Sequence, residues 1–187
     1  MNELTEILKA ATASVEQAYF RLNIDGGDSI FRERVYCYEL YHQMRMLWPP
    51  QSQYFLNGEL DKSAHPILRG LGAAHAKPDL LVHTPGAMKG NYAIIEVKYS
   101  IDTRGVCKDL RTLDLFVRKV GYQRAIYLIY GRYANAQGVS RIEAIAKEAI
   151  AKGEFTELMP IELWLHSEVG QAATYSTTLE WKPDAQK

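Results

Sequence analysis

The chain has 187 residues, of which 47% are hydrophobic and 24% charged, as in a globular domain that buries a sizeable core. Its 22 basic and 22 acidic side chains give a formal net charge of zero, which argues against a general coat for nucleic acid because phosphate binding is mostly electrostatic. No apolar run approaches the roughly 20 residues needed to span a bilayer, so we expect no membrane partner.

The first residues of the sequence and its two cysteines indicate the cellular compartment that we expect for the protein. The first six residues are acidic and amphipathic and lack the basic start of a secretion signal. Cys37 and Cys107 form no spaced metal pattern, and both fall inside predicted helices. We therefore expect a cytoplasmic protein in which both cysteines are core residues, not a disulfide or zinc ligands.

Two helices are predicted before the first strand. Apolar residues recur at helical spacing over residues 3–22, and the turn-forming segment 23–28 ends that helix. Ser29 can cap a second helix that runs to about Trp48, where Pro49 and Pro50 stop it. Residues 1–28 are thus predicted to form a helical arm on a core that spans residues 31–166.

Strands and helices alternate in the rest of the chain. Strands are predicted over residues 53–60, 77–84, 91–99, 124–130 and 160–166, with helices over 104–120 and 140–151. The turn-type segment 85–90 makes the second and third strands an antiparallel hairpin, and residues 170–187 are predicted to form a polar tail. This order predicts a single domain over residues 1–187 of the mixed α+β class, a central mixed sheet of about four to five strands flanked by helices.

The register of the predicted hairpin brings two carboxylates together. If the turn is symmetric, Thr84 pairs with Asn91, and Asp79 then falls directly opposite Glu96. Opposed side chains share a face with Cβ atoms about 4.5–5.5 Å apart, so two carboxylates there repel each other unless a cation lies between them. The two-residue period of a strand also places Lys98 on this face, amid otherwise apolar strands.

This cluster suits metal-assisted hydrolysis of a phosphodiester bond. Two carboxylates are hard oxygen ligands for Mg²⁺ or Mn²⁺, and such a metal polarises phosphate and lowers the pKa of a bound water. Lys98 would orient that water or offset negative charge in the transition state. The alternative is that Asp79 caps a turn, while Glu96 and Lys98 form a cross-strand ion pair on a solvated edge.

The same residues form a motif. Pro78 and Asp79, followed by Glu96, Val97 and Lys98, resemble the motif of the PD-(D/E)XK nuclease superfamily. The predicted order of elements also resembles the α-β-β-β-α-β order of its restriction-endonuclease-like core. The resemblance implies that Asp79 and Glu96 are metal ligands and that Lys98 is the catalytic lysine.

The resemblance further implies an acid on the helix before the hairpin. Glu39 matches that position in kind, which makes it a catalytic candidate, and Gln43 lies one helical turn later and could share the cleft with it. The alternative for Glu39 is a solvated role or a salt bridge with Arg32 or Arg45. Glu59 is a further acid near the sheet and ranks below Glu39.

A basic face is predicted on the helix over residues 104–120. Arg104, Lys108 and Arg111 lie broadly on one side of it, opposite the apolar stripe, and could contact substrate phosphates. The alternative is an ordinary solvated helix face. Among the five histidines only His83 shares the predicted face of Asp79.

Together these features predict a Mg²⁺- or Mn²⁺-dependent nuclease that hydrolyses phosphodiester bonds, with DNA as the expected substrate. A competing hypothesis is a nuclease-fold module that binds nucleic acid or a protein partner without cutting. A third is a structural domain whose acidic residues form a surface ion pair. Because the chain is neutral and contains no separate recognition domain, we expect a homodimer or a partner subunit to deliver the substrate.

Overall fold

The computed structural model describes residues 2–58, 69–70 and 76–182. The helices are α1 Asn2–Ala13, α2 Gln17–Phe20, α3 Glu33–Met46, α4 Thr103–Leu115 and α5 Ala136–Ala151. The strands are β1 Phe55–Gly58, β2 Leu80–His83, β3 Asn91–Lys98, β4 Arg124–Tyr130, β5 Leu158–His166 and β6 Thr174–Trp181. A π-helical turn, Phe116–Val120, extends α4.

In the described part of the chain, six strands form one mixed sheet in the order β1-β2-β3-β4-β5-β6. Strands β1 to β3 pair antiparallel, β3 to β5 pair parallel, and β6 returns antiparallel to β5. Parallel neighbours need a crossover connection, which α4 and α5 supply. The expected mixed sheet flanked by helices is confirmed, but it has six strands instead of four to five.

The additional strand is formed by the segment predicted as a polar tail. Residues Thr174–Trp181 pair with β5 as β6, although only Leu179 among them is buried. Backbone pairing at the sheet edge therefore orders this segment, and its low apolar content does not prevent it. The last residues of the predicted tail, 183–187, lie outside the described residues.

Each face of the sheet carries its own apolar layer. Along β3, Ile94 packs with the side chains of α4 and α5, whereas Ile95 and Val97 pack with those of α1 and α3. All residues of β3 except Lys98 are buried, because β3 lies in the interior of the sheet. Burying a large aliphatic side chain contributes about 1.5–3 kcal/mol, so these two layers hold the sheet in place.

Helix α1 is built into the core instead of forming an arm. Its buried residues Leu4, Leu8 and Ala11 belong to the same apolar layer as α3. The hydroxyl of Thr12 accepts a hydrogen bond of 2.8 Å from the backbone N–H of Ala173. The helix predicted over residues 3–22 ends at Ala13 and resumes only as the short α2.

Two helices begin at other residues than predicted, and the difference lies in which side chains cap them. Ser29 does not cap α3; its hydroxyl donates to Asn23, and α3 begins at Glu33 without a side-chain cap. Helix α5 begins before the predicted residue 140, because the side chain of Asn135 accepts from the N–H of Gly138 and caps it. Among the described helices, none has the length and apolar content that crossing a bilayer requires.

Candidate functional site

The register of the β2–β3 hairpin agrees with the sequence-based prediction over Leu80, Leu81 and Val82, the residues next to Asp79. The observed partners are Leu80↔Ile95, Leu81↔Ile94 and Val82↔Ala93. The turn is less regular than predicted, since the register shifts after Val82 and pairs His83 with Asn91. Continuing the register by one residue places Asp79, in the bend that precedes β2, opposite Glu96.

The carboxyl groups of Asp79 and Glu96 meet. Their side chains are close enough for a hydrogen bond with each other when one of them holds a proton, which the two then share. The second anchor of Asp79 is the backbone N–H of Val97, which donates to Oδ2 over 2.8 Å. Adjacent strands thus fix both carboxyl groups before any ligand is bound.

Burial favours the protonated form of this pair. Burial, together with the charges of Glu33 and Asp109, raises the pKa of Asp79 to about 6 against the hydrogen bond from Val97. Glu96 is only 7% exposed. Burial, followed by the charges of Asp79 and Asp109, raises the pKa of Glu96 well above its usual range.

Lys98 lies beside this pair, held by two other carboxylates. Its Nζ is 3.3 Å from Oε1 of Glu33 and 3.3 Å from Oδ2 of Asp109. The hydroxyl of Tyr127 donates to the same Asp109 oxygen over 3.1 Å and so fixes that carboxylate. Burial alone would lower the pKa of Lys98, but the charges of Asp109 and Glu33 raise it overall, so the ammonium stays protonated.

We call Glu33, Asp79, Glu96, Asp109 and Lys98 the acidic cluster. Four carboxyl groups in it face one ammonium, and burial raises the pKa of Glu33 and of Asp109 as well. Negative charge therefore exceeds positive charge in a site that water screens poorly. Such a site favours binding of a proton or of a metal cation.

The helix acid in this cluster is Glu33, not Glu39. The carboxylate of Glu39 accepts a 2.7 Å hydrogen bond from Nε2 of Gln43, and among the described residues no hydrogen bond or ion pair joins either residue to the cluster. Six positions separate Glu33 from Glu39, so their side chains leave α3 in different directions. The predicted roles of Glu39 in catalysis and Gln43 in substrate binding thus have no contact that supports them.

Asp109 is a further member that the sequence-based prediction missed. It lies on the apolar stripe of α4, three residues after Val106 and beside Leu110, and is 3% exposed. An acid within an apolar helical stripe is costly unless it has a partner, and this signal was visible in the sequence.

The predicted basic face of α4 is partly neutralised. Arg104, Lys108 and Arg111 are all exposed, as expected. Arg111, however, forms an ion pair with Glu154. Lys108 lies near enough to the cluster for its charge to oppose the burial that raises the pKa of Glu96. Only Lys108 of this set thus acts on the site.

The surroundings of Asp79 include a cavity of about 320 Å³ between α3 and β1, lined by Tyr38, Tyr41 and Asn57. His83, which the sequence placed on the face of Asp79, forms a 2.9 Å hydrogen bond between its Nε2 and Oδ1 of Asn57. Glu59, the lower-ranked acid, lies outside the described residues.

Comparison with known proteins gives no relative from which to assign a function. No family model, curated protein or solved structure matches this chain. Across residues 2–58, 69–70 and 76–182, no group of three or more His, Cys, Asp or Glu side chains is arranged to hold a metal ion.

Proposed function

We propose that this protein is a divalent-metal-dependent nuclease that hydrolyses phosphodiester bonds, with DNA as its substrate. The observation that carries the proposal is the pair of half-buried Asp79 and buried Glu96, which oppose each other across the β2–β3 hairpin beside the ion-paired Lys98. Two carboxyl groups brought together where little water reaches them are unfavourable for folding alone, which supports a role in binding a cation.

The donor set fits Mg²⁺ or Mn²⁺. Magnesium keeps several waters and usually binds proteins through only one or two carboxylates, so Asp79 and Glu96 suffice without a third acidic ligand. A divalent cation would take the place of the shared proton and offset the excess negative charge of the cluster. When bound, it would supply Lewis-acid chemistry at the phosphate and lower the pKa of a coordinated water.

The chain's own residues then have separate roles. Asp79 is oriented by the N–H of Val97, which prevents its carboxylate from rotating away. Lys98 is oriented by Glu33 and Asp109, and its raised pKa makes it a fixed cation and not a general base. A fixed cation next to the phosphate stabilises the negative charge that develops during hydrolysis.

The order of elements also supports a PD-(D/E)XK nuclease. Among the described residues, helix α3, strands β1 to β3, helix α4 and strand β4 come in this chain order, which is compatible with the α-β-β-β-α-β order that the resemblance implies. Asp79, Glu96 and Lys98 occupy the hairpin of that order. The cytoplasmic location and the homodimer or partner subunit stay predictions.

A cleavage assay tests the proposal. The protein would be incubated with labelled single-stranded, duplex and branched DNA and with RNA, in MgCl₂, MnCl₂ or EDTA. We expect cleavage that requires the metal and falls at least about 100-fold in Asp79→Asn and in Lys98→Ala. Glu180→Gln is the matched control, because Glu180 is an exposed carboxylate on β6 far along the sheet.

Calorimetry of Mn²⁺ binding distinguishes loss of metal binding from loss of cleavage. Wild type is expected to bind the ion, and Asp79→Asn to bind it more weakly. Cleavage that is equal in EDTA, or equal in wild type and both variants, would contradict the proposal. Nucleic-acid binding with no cleavage under any condition would instead identify a binding module.

A further inference from the structure

A second cavity, of about 550 Å³, opens beyond the carboxyl ends of the parallel strands. Tyr99, Gly131 and Ser167 line it, and these residues directly follow β3, β4 and β5. In sheets with parallel strands, ligands bind in the crevice outside the carboxyl ends of the strands. The position of this cavity in the fold is therefore that of a ligand site.

The cavity is basic. Arg21, Arg32 and Arg132 line it, no acidic residue among the described ones does, and we call it the arginine cleft. Within the part of the chain that the structure describes, none of these arginines forms an ion pair. Guanidinium groups without carboxylate partners are well suited to phosphate, which they bind through paired hydrogen bonds.

The arginine cleft adjoins the acidic cluster. Arg32 directly precedes Glu33, and Tyr99 directly follows Lys98. The ion pair of Glu33 with Lys98, with Nζ 3.3 Å from Oε1, is thus the part of the acidic cluster that adjoins the arginine cleft in sequence. A chain of phosphates that runs along the arginine cleft would lead to the acidic cluster.

Aromatic rings accompany the arginines. Phe31 and Tyr99 are stacked with ring centroids 6.1 Å apart, and both are partly exposed. The close approach of Phe31 depends on Gly131, since a Cβ there would lie 2.6 Å from the Phe31 ring. Grooves that combine arginines with aromatic faces are typical of proteins that bind single-stranded nucleic acid.

We infer that the arginine cleft binds the sugar-phosphate backbone of a single-stranded nucleic acid and guides that strand to the acidic cluster. The guanidinium groups contact phosphates, and the rings of Phe31 and Tyr99 provide a surface for an unpaired base. The direction toward the cluster rests on the proposed nuclease function, whereas strand binding itself does not. The cleft therefore replaces the face of α4 as the principal phosphate-binding surface.

Fluorescence anisotropy in EDTA tests the inference without cleavage. The probes are fluorescein-labelled dT12, rU12 and a 12-base-pair duplex, titrated with the full chain at several KCl concentrations. We expect the triple variant R21Q/R32Q/R132Q to bind dT12 at least about tenfold more weakly. The slope of log K against log salt should also become shallower by about 0.7 for each phosphate that the variant no longer binds.

The matched control is R104Q/R111Q/R141Q, which removes the same charge from exposed positions on α4 and α5. It is expected to bind dT12 nearly as wild type does. A greater loss in this control than in the cleft variant would overturn the inference, and so would tighter binding of the duplex than of dT12 by wild type. If the triple cleft variant is unstable, Arg132→Gln alone carries the test, because Arg132 is exposed and its guanidinium lies over the Tyr133 ring.

This design distinguishes failure of the strand-binding inference from failure of the nuclease proposal. Arginine-dependent binding without cleavage would contradict the nuclease and leave strand binding supported. Metal-dependent cleavage with an unchanged KM in R21Q/R32Q/R132Q would overturn the role of the cleft and leave the nuclease supported.

Discussion

Two groups of partly or fully buried charges lie in the same sheet, and they differ in whether the charges are neutralised. Arg124 on β4 donates to both carboxylate oxygens of Glu162 on β5, over 2.7 and 2.8 Å, and Trp164 adds a third hydrogen bond. Burial alone would raise the pKa of Glu162, but these hydrogen bonds lower it overall. In the acidic cluster, the neighbours of Asp79 and Glu96 are mostly other acids, and burial raises the pKa of both.

The difference separates a structural ion pair from a ligand site. A carboxylate that receives all its hydrogen bonds from the protein has nothing left to gain from a cation. A carboxyl pair without cationic partners, in which burial raises both pKa values, gains stability when a cation arrives. The same residue type should therefore respond with opposite signs when it is changed in the two places.

The largest expected effect is on activity, in Glu96→Gln. We expect nucleic-acid cleavage to fall about 10²–10³-fold, because a donor of the proposed metal site is lost. In EDTA at pH 8 the free energy of unfolding should rise, on the order of 1 kcal/mol, since the amide can donate to Asp79 without the cost of keeping a buried acid protonated far above its unfolded pKa. Glu162→Gln is the counterpart variant, for which we expect a lower free energy of unfolding and unchanged cleavage. If the free energy of unfolding changed in the same direction in Glu96→Gln and Glu162→Gln, the two groups of charges would not differ as described.

The next largest effect is on stability, in Arg124→Met. Glu162 would stay partly buried without its guanidinium partner, so we expect the free energy of unfolding to fall by about 3 kcal/mol. The double variant R124M/E162L should recover most of the loss, because it leaves no charge without a partner. Urea denaturation measures both, and an equally large loss in the double variant would mean that packing matters more than charge.

A smaller effect is expected in the pH dependence of stability. The pKa of Asp79 is raised to about 6 in the folded protein, so its contribution to stability is present at acidic pH and is lost as pH rises through 6. In EDTA, Asp79→Asn should therefore gain roughly 1–2 kcal/mol over wild type between pH 5 and pH 8. Glu162 has a lowered pKa, so its contribution is lost as pH falls below its unfolded value. If the free energy of unfolding changed with pH in the same way in wild type and Asp79→Asn, the expected loss of stability on ionisation of Asp79 would be contradicted.

The smallest effect is expected at the protein surface, in Arg111→Gln. Its ion pair with Glu154 is exposed on the side of Arg111 and worth at most about 0.5 kcal/mol. Thermal unfolding should therefore change little, and dT12 binding should stay within experimental error. A large loss of binding would show that the face of α4, and not the arginine cleft, contacts the substrate.

The hairpin that forms the site was predictable from the sequence. Apolar residues on both strands and a turn-forming segment between them set the pairing of Leu80 with Ile95, and Asp79 and Glu96 follow from it. A one-residue slip would have turned Glu96 toward the apolar layer of α1 and α3, so the alternation of apolar and charged residues constrains the register.

The helix acid of the site and the sixth strand were not predictable, because they depend on contacts between residues far apart in the sequence. The choice of Glu33 over Glu39 follows from where α3 begins, and the packing of Tyr36, Leu40 and Met44 on the sheet sets this in the absence of a side-chain cap. Strand β6 was missed because it lies at the edge of the sheet, where one face needs few apolar residues.

The hydrogen bond between Ala173 and Thr12 has a consequence for the newly made chain. It joins residues 161 positions apart, and it lies in the layer that buries α1 against the sheet. During synthesis, α1 leaves the ribosome long before Ala173 does, so its apolar side has no complete docking surface for most of translation. Contacts over such separations slow folding. We expect nascent chains that stop before residue 173 to remain open to proteases, and the apolar side of α1 to be exposed to chaperones during that time.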